Sequence, residues 1–369
     1  MDRRTFIQGT AALTVSAGLP YKAFAQARAF APKPGAWRTV DLVTRIEIDD
    51  PKGKMQAWVP LPSVNEADWF KSGETRWTGN AATVTRVRDP KYGAEMLHVI
   101  WQDDDISPVI EVTSRIQTRD RAIDLTKPDT SAALSDAERK LNLTGTDLIP
   151  VDGIVKQTAD KIVADAKAGT DIEKARAIYE WVVENTARTA ATRGCGIGDV
   201  AAMLKSGNLG GKCADLNALY VGLARAAGLP ARDVYGLRVL PSQFGYKSLG
   251  AGSSNVTKAQ HCRAEVYLTG FGWVPVDPAD VRKVMLEEPP ANLPITDPKV
   301  VAARKTLFGA WEGNWMAYNT AHDIALPGSK HPKLGFLMYP QAERASLLLD
   351  CLDPDRFRYT ITAKEATAT

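Results

Sequence analysis

The sequence predicts an α+β protein, with a β-sandwich in its N-terminal part followed by a region of helices and then antiparallel strands. Apolar and polar residues alternate near residues 40–48 and 110–118, which is the period of a half-buried strand. Apolar residues recur at helical spacing between residues 154 and 227, and strand patterns return after residue 230. Helices first and strands afterwards are typical of an α+β domain, whereas a doubly wound domain would alternate them.

The N-terminus has the features of an export signal. A twin arginine at Arg3 and Arg4 precedes an apolar stretch that ends at Leu19, and the small residues Ala23 and Ala25 follow. Residues 1–25 are therefore predicted to be a twin-arginine (Tat) signal peptide, which would make the protein periplasmic or otherwise exported. The stretch is short for a membrane span and is interrupted by polar residues and glycines. We therefore expect no stable membrane anchor after cleavage.

Composition and charge exclude several classes of function. The 369 residues are 44% apolar and 24% charged, the profile of a globular protein with room for two or three domains. Cleavage after Ala25 would lower the formal net charge from +3 to +1, so no nucleic-acid or anionic-lipid partner is indicated. The sequence contains no CxxC or HExxH pattern. We therefore predict no metal site and no cofactor.

The first domain is predicted at residues 36–120, a length that fits a β-sandwich of about one hundred residues. Two further strand candidates lie inside it, at Lys54–Val59 and Glu95–Trp101. Residues 121–150 are polar and contain two prolines. They are predicted to be a linker with one short helix.

Helical spacing marks the start of the second domain, predicted at residues 151–300. One helix is predicted from Ile154 to Ala166, and a capping box at Thr170–Glu173 opens another. A third helix is predicted to begin at Cys213. Strands are then predicted at Ala231–Leu240, His261–Leu268 and Gly272–Val276.

The remaining segments are a loop and a C-terminal region. Residues 241–259 are rich in glycine and serine and are predicted to form a mobile loop beside the candidate site. Residues 301–364 are predicted to be a helix and strands packed on the core of the second domain, and 365–369 a disordered tail.

Cys213 stands at the start of a strongly patterned helix. Two glycines precede it and allow a sharp turn, and Gly228 to Pro230 end the helix. A thiol at a helix N-terminus faces unpaired N–H groups and the positive end of the helix dipole. Both favour the reactive thiolate, so Cys213 is the candidate nucleophile.

A base and an orienting carboxylate follow in the strand region. His261 begins a strand in which it shares a face with Arg263, and the apolar alternate face is predicted to point into the core. A hairpin returns the chain so that Asp277 lies near His261. The order is Cys, His, Asp at intervals of 48 and 16 residues, which suits a carboxylate that fixes the imidazole tautomer while the imidazole takes the thiol proton.

Three motifs in this order resemble the transglutaminase-like superfamily over roughly residues 150–285. They are Gly210–Asp215 with the following helix, the stretch Gln260–Tyr267, and the stretch Gly272–Pro278. The resemblance implies a papain-like core in which Cys213, His261 and Asp277 form a catalytic triad. It also implies attack on an amide carbonyl and a thioester intermediate. Animal members use calcium, but no calcium-loop pattern is visible in this sequence.

Each assignment has a structural alternative. Cys213 would be a buried structural thiol if it stood alone, His261 a structural histidine, and Asp277 a residue that shapes a turn before Pro278. Asn208 is a candidate oxyanion donor beside the Cys213 N–H, although a role in the turn is as strongly favoured. His322 next to Asp323 suggests a local hydrogen bond more than a second site.

The other cysteines allow only limited cross-linking. Export would permit disulfides, but a free Cys213 leaves at most one bridge among Cys195, Cys262 and Cys351. Twin-arginine export carries a folded protein out of a reducing compartment, so no bridge is assumed. Cys262 lies on the apolar face of its strand and is predicted to be a small buried hydrophobe.

Two functions from different classes are consistent with these patterns. The first is an exported cysteine acyl-transfer enzyme, a hydrolase (peptidase or amidase) or an acyltransferase, whose substrate is a peptide, protein or peptidoglycan-type amide. The alternative is an inactive binding or assembly module of the cell envelope that keeps the fold. The complete set of three candidate residues favours the enzyme, because a binding role does not require them.

Overall fold

The computed structural model describes residues 29–128 and 133–366. The predicted signal peptide lies outside these residues. Within the described part, no helix is both long and apolar enough to cross a membrane. The structure mixes helices and strands, and it confirms the predicted α+β class.

Strands dominate the described residues before 123. They are β1 (Arg38–Glu47), β2 (Met55–Leu61), β3 (Phe70–Gly79), β4 (Thr83–Arg88), β5 (Glu95–Ile100), β6 (Val109–Thr118) and β7 (Arg121–Ala122).

The middle of the chain is largely helical and leads into three antiparallel strands. It contains α1 (Asp136–Leu143), α2 (Gly153–Asp165), α3 (Asp171–Asn185), β8 (Ala187–Arg188), α4 (Val200–Ser206), β9 (Gly210–Gly211), α5 (Cys213–Ala226), β10 (Ala231–Arg238), β11 (Gln260–Leu268), β12 (Gly272–Val276), α6 (Pro278–Glu287) and α7 (Pro298–Thr306).

The C-terminal region is again rich in strands. It contains β13 (Ala310–Trp311), β14 (Trp315–Asn319), β15 (His322–Ile324), β16 (Leu334–Phe336), β17 (Gln341–Arg344), β18 (Leu347–Leu348), α8 (Pro354–Phe357) and β19 (Tyr359–Glu365).

Two sheets form the sandwich, in the orders β19-β1-β6-β3 and β18-β17-β2-β5-β4. Alternate residues of β1, such as Val40 and Leu42, share one core with residues of β2 such as Ala57 and Val59. Each sheet therefore includes strands from the far end of the chain, because β19 pairs with β1 and β17 pairs with β2. The alternating pattern that predicted β1 arises because one face of the strand points into this shared core.

The last segment departs from its predicted place. Residues 301–364 were expected to pack on the second domain, but β17, β18 and β19 complete the sandwich, and only β14 joins the sheet of the second domain. Glu365, expected in a disordered tail, lies in β19 opposite Val40. Residues 367–369 lie outside the described part. Pairing between strands so far apart in sequence leaves no local pattern from which it can be predicted.

The second domain is built around α5 and an antiparallel sheet of order β12-β11-β10-β14. Every residue of α5 is buried, and its polar residues Asp215, Asn217 and Arg225 have hydrogen-bond partners. It packs on β10 and β11 and is surrounded by α2, α3 and α6. The start of α5 and the strands β11 and β12 are thereby held as one rigid unit.

In the segments predicted as a linker and as a mobile loop, described residues make contacts that fix them to the rest of the protein. Arg121, in the predicted linker, forms a buried ion pair with Glu265 of β11. In the segment 241–259, the Ser248 N–H and hydroxyl bond Glu288 at 2.9 and 2.8 Å, and Tyr246 packs on Phe30. The glycine- and serine-rich composition of this segment concealed the residues that anchor it.

We expect Ile361→Ala to lower the free energy of unfolding by about 2–4 kcal/mol, because Ile361 in β19 is fully buried in the sandwich core. The matched control is Thr362→Ala on the exposed face of the same strand, for which a loss within about 1 kcal/mol is expected. Chemical denaturation measures both. Equal losses would show that β19 does not complete the sandwich core.

Candidate active site

The position of Cys213 depends on Asp215, two residues further into α5. Its Oδ2 accepts the Lys212 N–H at 2.9 Å, and its Oδ1 accepts the N–H groups of Ile197 and Gly198, each at 2.9 Å. A Cβ at Gly196 would lie 1.8 Å from an Asp215 oxygen, so only glycine fits there. One carboxylate therefore binds the start of α5 to the glycine-rich loop 194–198.

His261 and Asp277 are brought together by neighbouring strands. His261 Nε2 lies 2.7 Å from Asp277 Oδ2, and both side chains are buried. Asp277 caps α6 and accepts the Asp280 N–H at 3.1 Å on its other oxygen, where Asn217 Nδ2 also lies at 3.3 Å. The carboxylate is therefore held from three sides, and its orientation toward the imidazole is fixed.

Cys213 and His261 line the same cleft, which has a volume of about 810 Å³. Since Nε2 of His261 faces the carboxylates, Nδ1 is the nitrogen left to exchange a proton with the thiol. Burial and Arg238 oppose a charge on this imidazole, but Asp280 and Asp277 outweigh them and raise the pKa of His261 to about 9.

The pKa of the Cys213 thiol is shifted in the opposite direction, downward. Hydrogen bonds from the thiols of Cys195 and Cys262 hold the pKa of Cys213 well below its usual range, against the effect of burial, and His261 adds to the same shift. Both shifts favour the thiolate and imidazolium forms of Cys213 and His261 over the neutral forms.

Asp280 is a site residue that the sequence analysis missed. Its Oδ2 lies 3.3 Å from His261 Nε2, and its Oδ1 forms a buried ion pair with Arg238. Burial raises the pKa of Asp280, but Arg238 outweighs it and holds the pKa well below the usual range. The spacing Asp277-x-x-Asp280 at a helix start was the available signal, because N-cap and N3 residues lie on one side of the first turn.

Two tryptophans support the strands from behind. Trp315 Nε1 donates to the His261 carbonyl at 2.9 Å, and Trp311 Nε1 donates to the Val276 carbonyl at 3.4 Å. Arg263 lies over the Trp315 ring at 4.7 Å and places its Nε 3.7 Å from Asp277 Oδ2. The second face of β11, expected only to point away from the core, is thus buried against a second apolar layer.

Asn208 occupies a turn. Its side-chain oxygen accepts the Gly210 N–H at 3.1 Å, its side chain is exposed, and it is absent from the described residues that line the cleft. At the helix start the N–H groups of Lys212 and Ala214 have acceptors. The Cys213 N–H has none within the described part of the chain, which leaves it as the better placed oxyanion donor.

The contacts of His322 differ from those expected from the sequence. His322 faces Tyr235, with Nδ1 3.3 Å from the hydroxyl, and Asp233 at 3.6 Å, while Asp323 bonds the Asp147 N–H. The expected local pair with Asp323 is therefore wrong.

All four cysteines are free. Cys262 is fully buried, and its Sγ, like that of Cys195, lies within 4.8 Å of the Cys213 Sγ. The sequence analysis did not predict this proximity.

A second cleft, of about 660 Å³, runs along α2 and α3 and is lined by residues such as Ile162 and Trp181. Among its described lining residues there is neither a cysteine nor a histidine. The chemistry that the sequence predicts belongs to the cleft that contains Cys213.

Comparison with known proteins gives a family for the part of the chain that contains the cleft. A model of the transglutaminase-like superfamily matches residues 156–278, a range that includes Cys213, His261 and Asp277. The chain belongs to the transglutaminase-like superfamily. An uncharacterized protein from Haemophilus influenzae is 38% identical over 329 residues, which make up 85% of this chain and 87% of that protein.

The fold is also similar to a solved structure. A protein from Cytophaga hutchinsonii, titled a "putative cysteine protease", matches with a TM-score of 0.56 at 12% identity, over 91% of this chain and 93% of that one. At this identity the likeness shows the fold alone. It extends well beyond the superfamily match and therefore includes the sandwich.

We expect iodoacetamide to alkylate Cys213 with a rate that reaches half its maximum at a pH well below that of an ordinary thiol, because its thiolate is stabilised. Cys351 is the internal control, since it is more exposed and burial raises its pKa. Mass spectrometry of peptides after labelling at a series of pH values measures both rates. If Cys213 reacts no faster than Cys351 at pH 6, its thiolate is not stabilised.

Proposed function

We propose that this protein is an exported cysteine acyl-transfer enzyme that acts on amide bonds through Cys213, His261 and Asp277. The observation that carries the proposal is the buried His261–Asp277 contact of 2.7 Å in the cleft that Cys213 also lines. A binding module would not need a thiol, an imidazole and an orienting carboxylate in this arrangement. Export is supported by the pattern of residues 1–25.

The geometry supports a two-step reaction. The Cys213 thiolate attacks the amide carbonyl carbon, and the Cys213 N–H stabilises the oxyanion that forms. The C–N bond then breaks as His261 Nδ1 gives its proton to the departing amine, which leaves a thioester on Cys213. Water or a second amine attacks this thioester while His261 Nδ1 takes its proton. Release of the acid or the new amide restores the thiolate.

The charges in the cleft favour a substrate that carries a carboxylate near the amide. Five cations and one acid are among its described lining residues: Arg188, Lys212, Arg238, Lys258, Lys283 and Asp355. Arg238 is paired with Asp280 and Lys258 with Asp355, while Arg188 and Lys283 both pair with Glu287. The five cations therefore face three acids, and a small excess of positive charge remains. Acidic peptides and peptidoglycan stem peptides both have this chemistry. A screen of peptides and muropeptides, with and without a free carboxylate and with and without an added amine, tests the reaction and the preference.

Substitutions in the triad should have unequal effects. Cys213→Ala should abolish turnover and thioester trapping, and His261→Ala should lower kcat/KM by about 10³-fold because the thiol loses its proton partner. Asp277→Asn should cost less, about 10²-fold, since Asp280 still faces Nε2 at 3.3 Å. The matched control is His331→Ala, an exposed histidine outside the cleft, which should keep wild-type kinetics. Full turnover by Asp277→Asn would remove Asp277 from the mechanism.

The pH profile of kcat/KM should fall on the alkaline side near pH 9, where His261 loses its proton. Asp280→Asn removes a negative charge that favours the imidazolium, so the alkaline limb should move to lower pH. His331→Ala should leave the limb in place. A limb that stays fixed or moves up in Asp280→Asn would contradict the assignment of this ionisation to His261.

A further inference from the structure

Three cysteine thiols meet beside the cleft. The Sγ atoms of Cys195, Cys213 and Cys262 all lie within 4.8 Å of one another. They come from three separate elements: the loop before α4, the start of α5, and β11. Their residues are 5%, 4% and 0% exposed, so the group is shielded on most sides. A requirement for small apolar side chains alone would not require a thiol at all three positions.

Residues in the first turns of α5 hold the backbone at the other two cysteines in place. The Ala214 N–H donates to the Cys195 carbonyl at 2.9 Å, and Asp215 binds the two N–H groups at residues 197 and 198. On the other side, Asn217 Nδ2 donates to the Cys262 carbonyl at 2.8 Å. The helix that carries Cys213 therefore fixes the backbone of both other cysteines, and the sulfurs are preorganised.

We propose that Cys195, Cys213 and Cys262 form a site for one thiophilic cation, for which Cu(I) is the best fit. Three sulfurs around a metal at about 2.3 Å lie about 4.0 Å apart in a trigonal arrangement, which small rotations of these side chains can reach. Soft thiolate ligands select soft cations such as Cu(I). Zn(II) normally takes four ligands, and the nearby His261, Asp277 and Asp280 form a separate cluster.

A cation bound at this site would inhibit the enzyme, because it occupies the sulfur of Cys213. The Cys213 sulfur donates an electron pair to the cation and is no longer available to attack a carbonyl, while the protons of the other two thiols pass to solvent. The binding of the cation stands on the thiol geometry alone. Its inhibitory effect rests on the function proposed above.

The test uses the full-length chain, reduced and kept free of oxygen, with Cu(I) supplied from a competing chelator. One equivalent per chain should bind, with thiolate-to-copper charge-transfer absorption in the ultraviolet. Cys195→Ala and Cys262→Ala should each weaken binding by at least about tenfold. The matched control is Cys351→Ala, a free cysteine outside the cluster, which should bind as the wild type does. Circular dichroism checks folding, and Cys195→Ala, in a loop, keeps the test valid if Cys262→Ala fails to fold.

Several results would overturn the proposal. These are no stoichiometric Cu(I) binding by the wild type, or equal binding by the wild type and Cys195→Ala. Tighter binding of Zn(II) than of Cu(I) would overturn the choice of ion. If Cu(I) binds while turnover of an identified substrate continues unchanged, the inhibitory effect is wrong. If Cu(I) binds and no substrate is turned over by the metal-free enzyme, the site stands and the proposed function fails.

Discussion

The buried charges around His261 must balance, and much of the second domain provides that balance. Asp277 and Asp280 both face the imidazole, and two carboxylates out of water would repel each other strongly without cations beside them. Arg238 pairs with Asp280, and Arg263 lies near Asp277. With an imidazolium at His261, three cations face these two carboxylates, and Lys283 also lowers the pKa of Asp280. A thiolate at Cys213 therefore offsets an excess of positive charge instead of adding an isolated charge to the interior.

The charged residues around His261 come from several elements of the second domain, and the sandwich supports these elements. Strand β10 contributes Arg238 and β11 contributes His261 and Arg263, while Asp277 and Asp280 begin α6. The tryptophans that bond the carbonyls of His261 and Val276 also pack toward the sandwich, since Trp69 meets Trp311 at 5.4 Å between ring centroids. The Thr118 hydroxyl at the end of β6 donates to the Trp315 carbonyl at 3.1 Å. The sandwich is therefore part of the support for the cleft.

Local patterns were sufficient for the features that depend on neighbours in sequence. The start of α5 at Cys213, the capping box before α3, the strand that carries His261 and the strand that ends just before Asp277 all follow from periodicity and turn residues. The features missed depend on contacts across the chain. Cys195 approaches Cys213 because the start of α5 binds the loop that carries Cys195, from which it is separated in sequence by α4 and β9. Strand β19 pairs with β1 across nearly the whole sequence.

The protonation of Cys195 and Cys262 links the reactivity of Cys213 to the proposed metal binding. While Cys195 and Cys262 keep their protons, these two thiols lower the pKa of Cys213 and so favour its negative charge. When both protons leave, the same three sulfurs become three soft anionic ligands, and only a cation can hold them so close together. The protonated cluster therefore favours a reactive thiolate and the deprotonated cluster favours a metal. The geometry that activates the nucleophile is also the geometry that exposes it to capture by a soft ion.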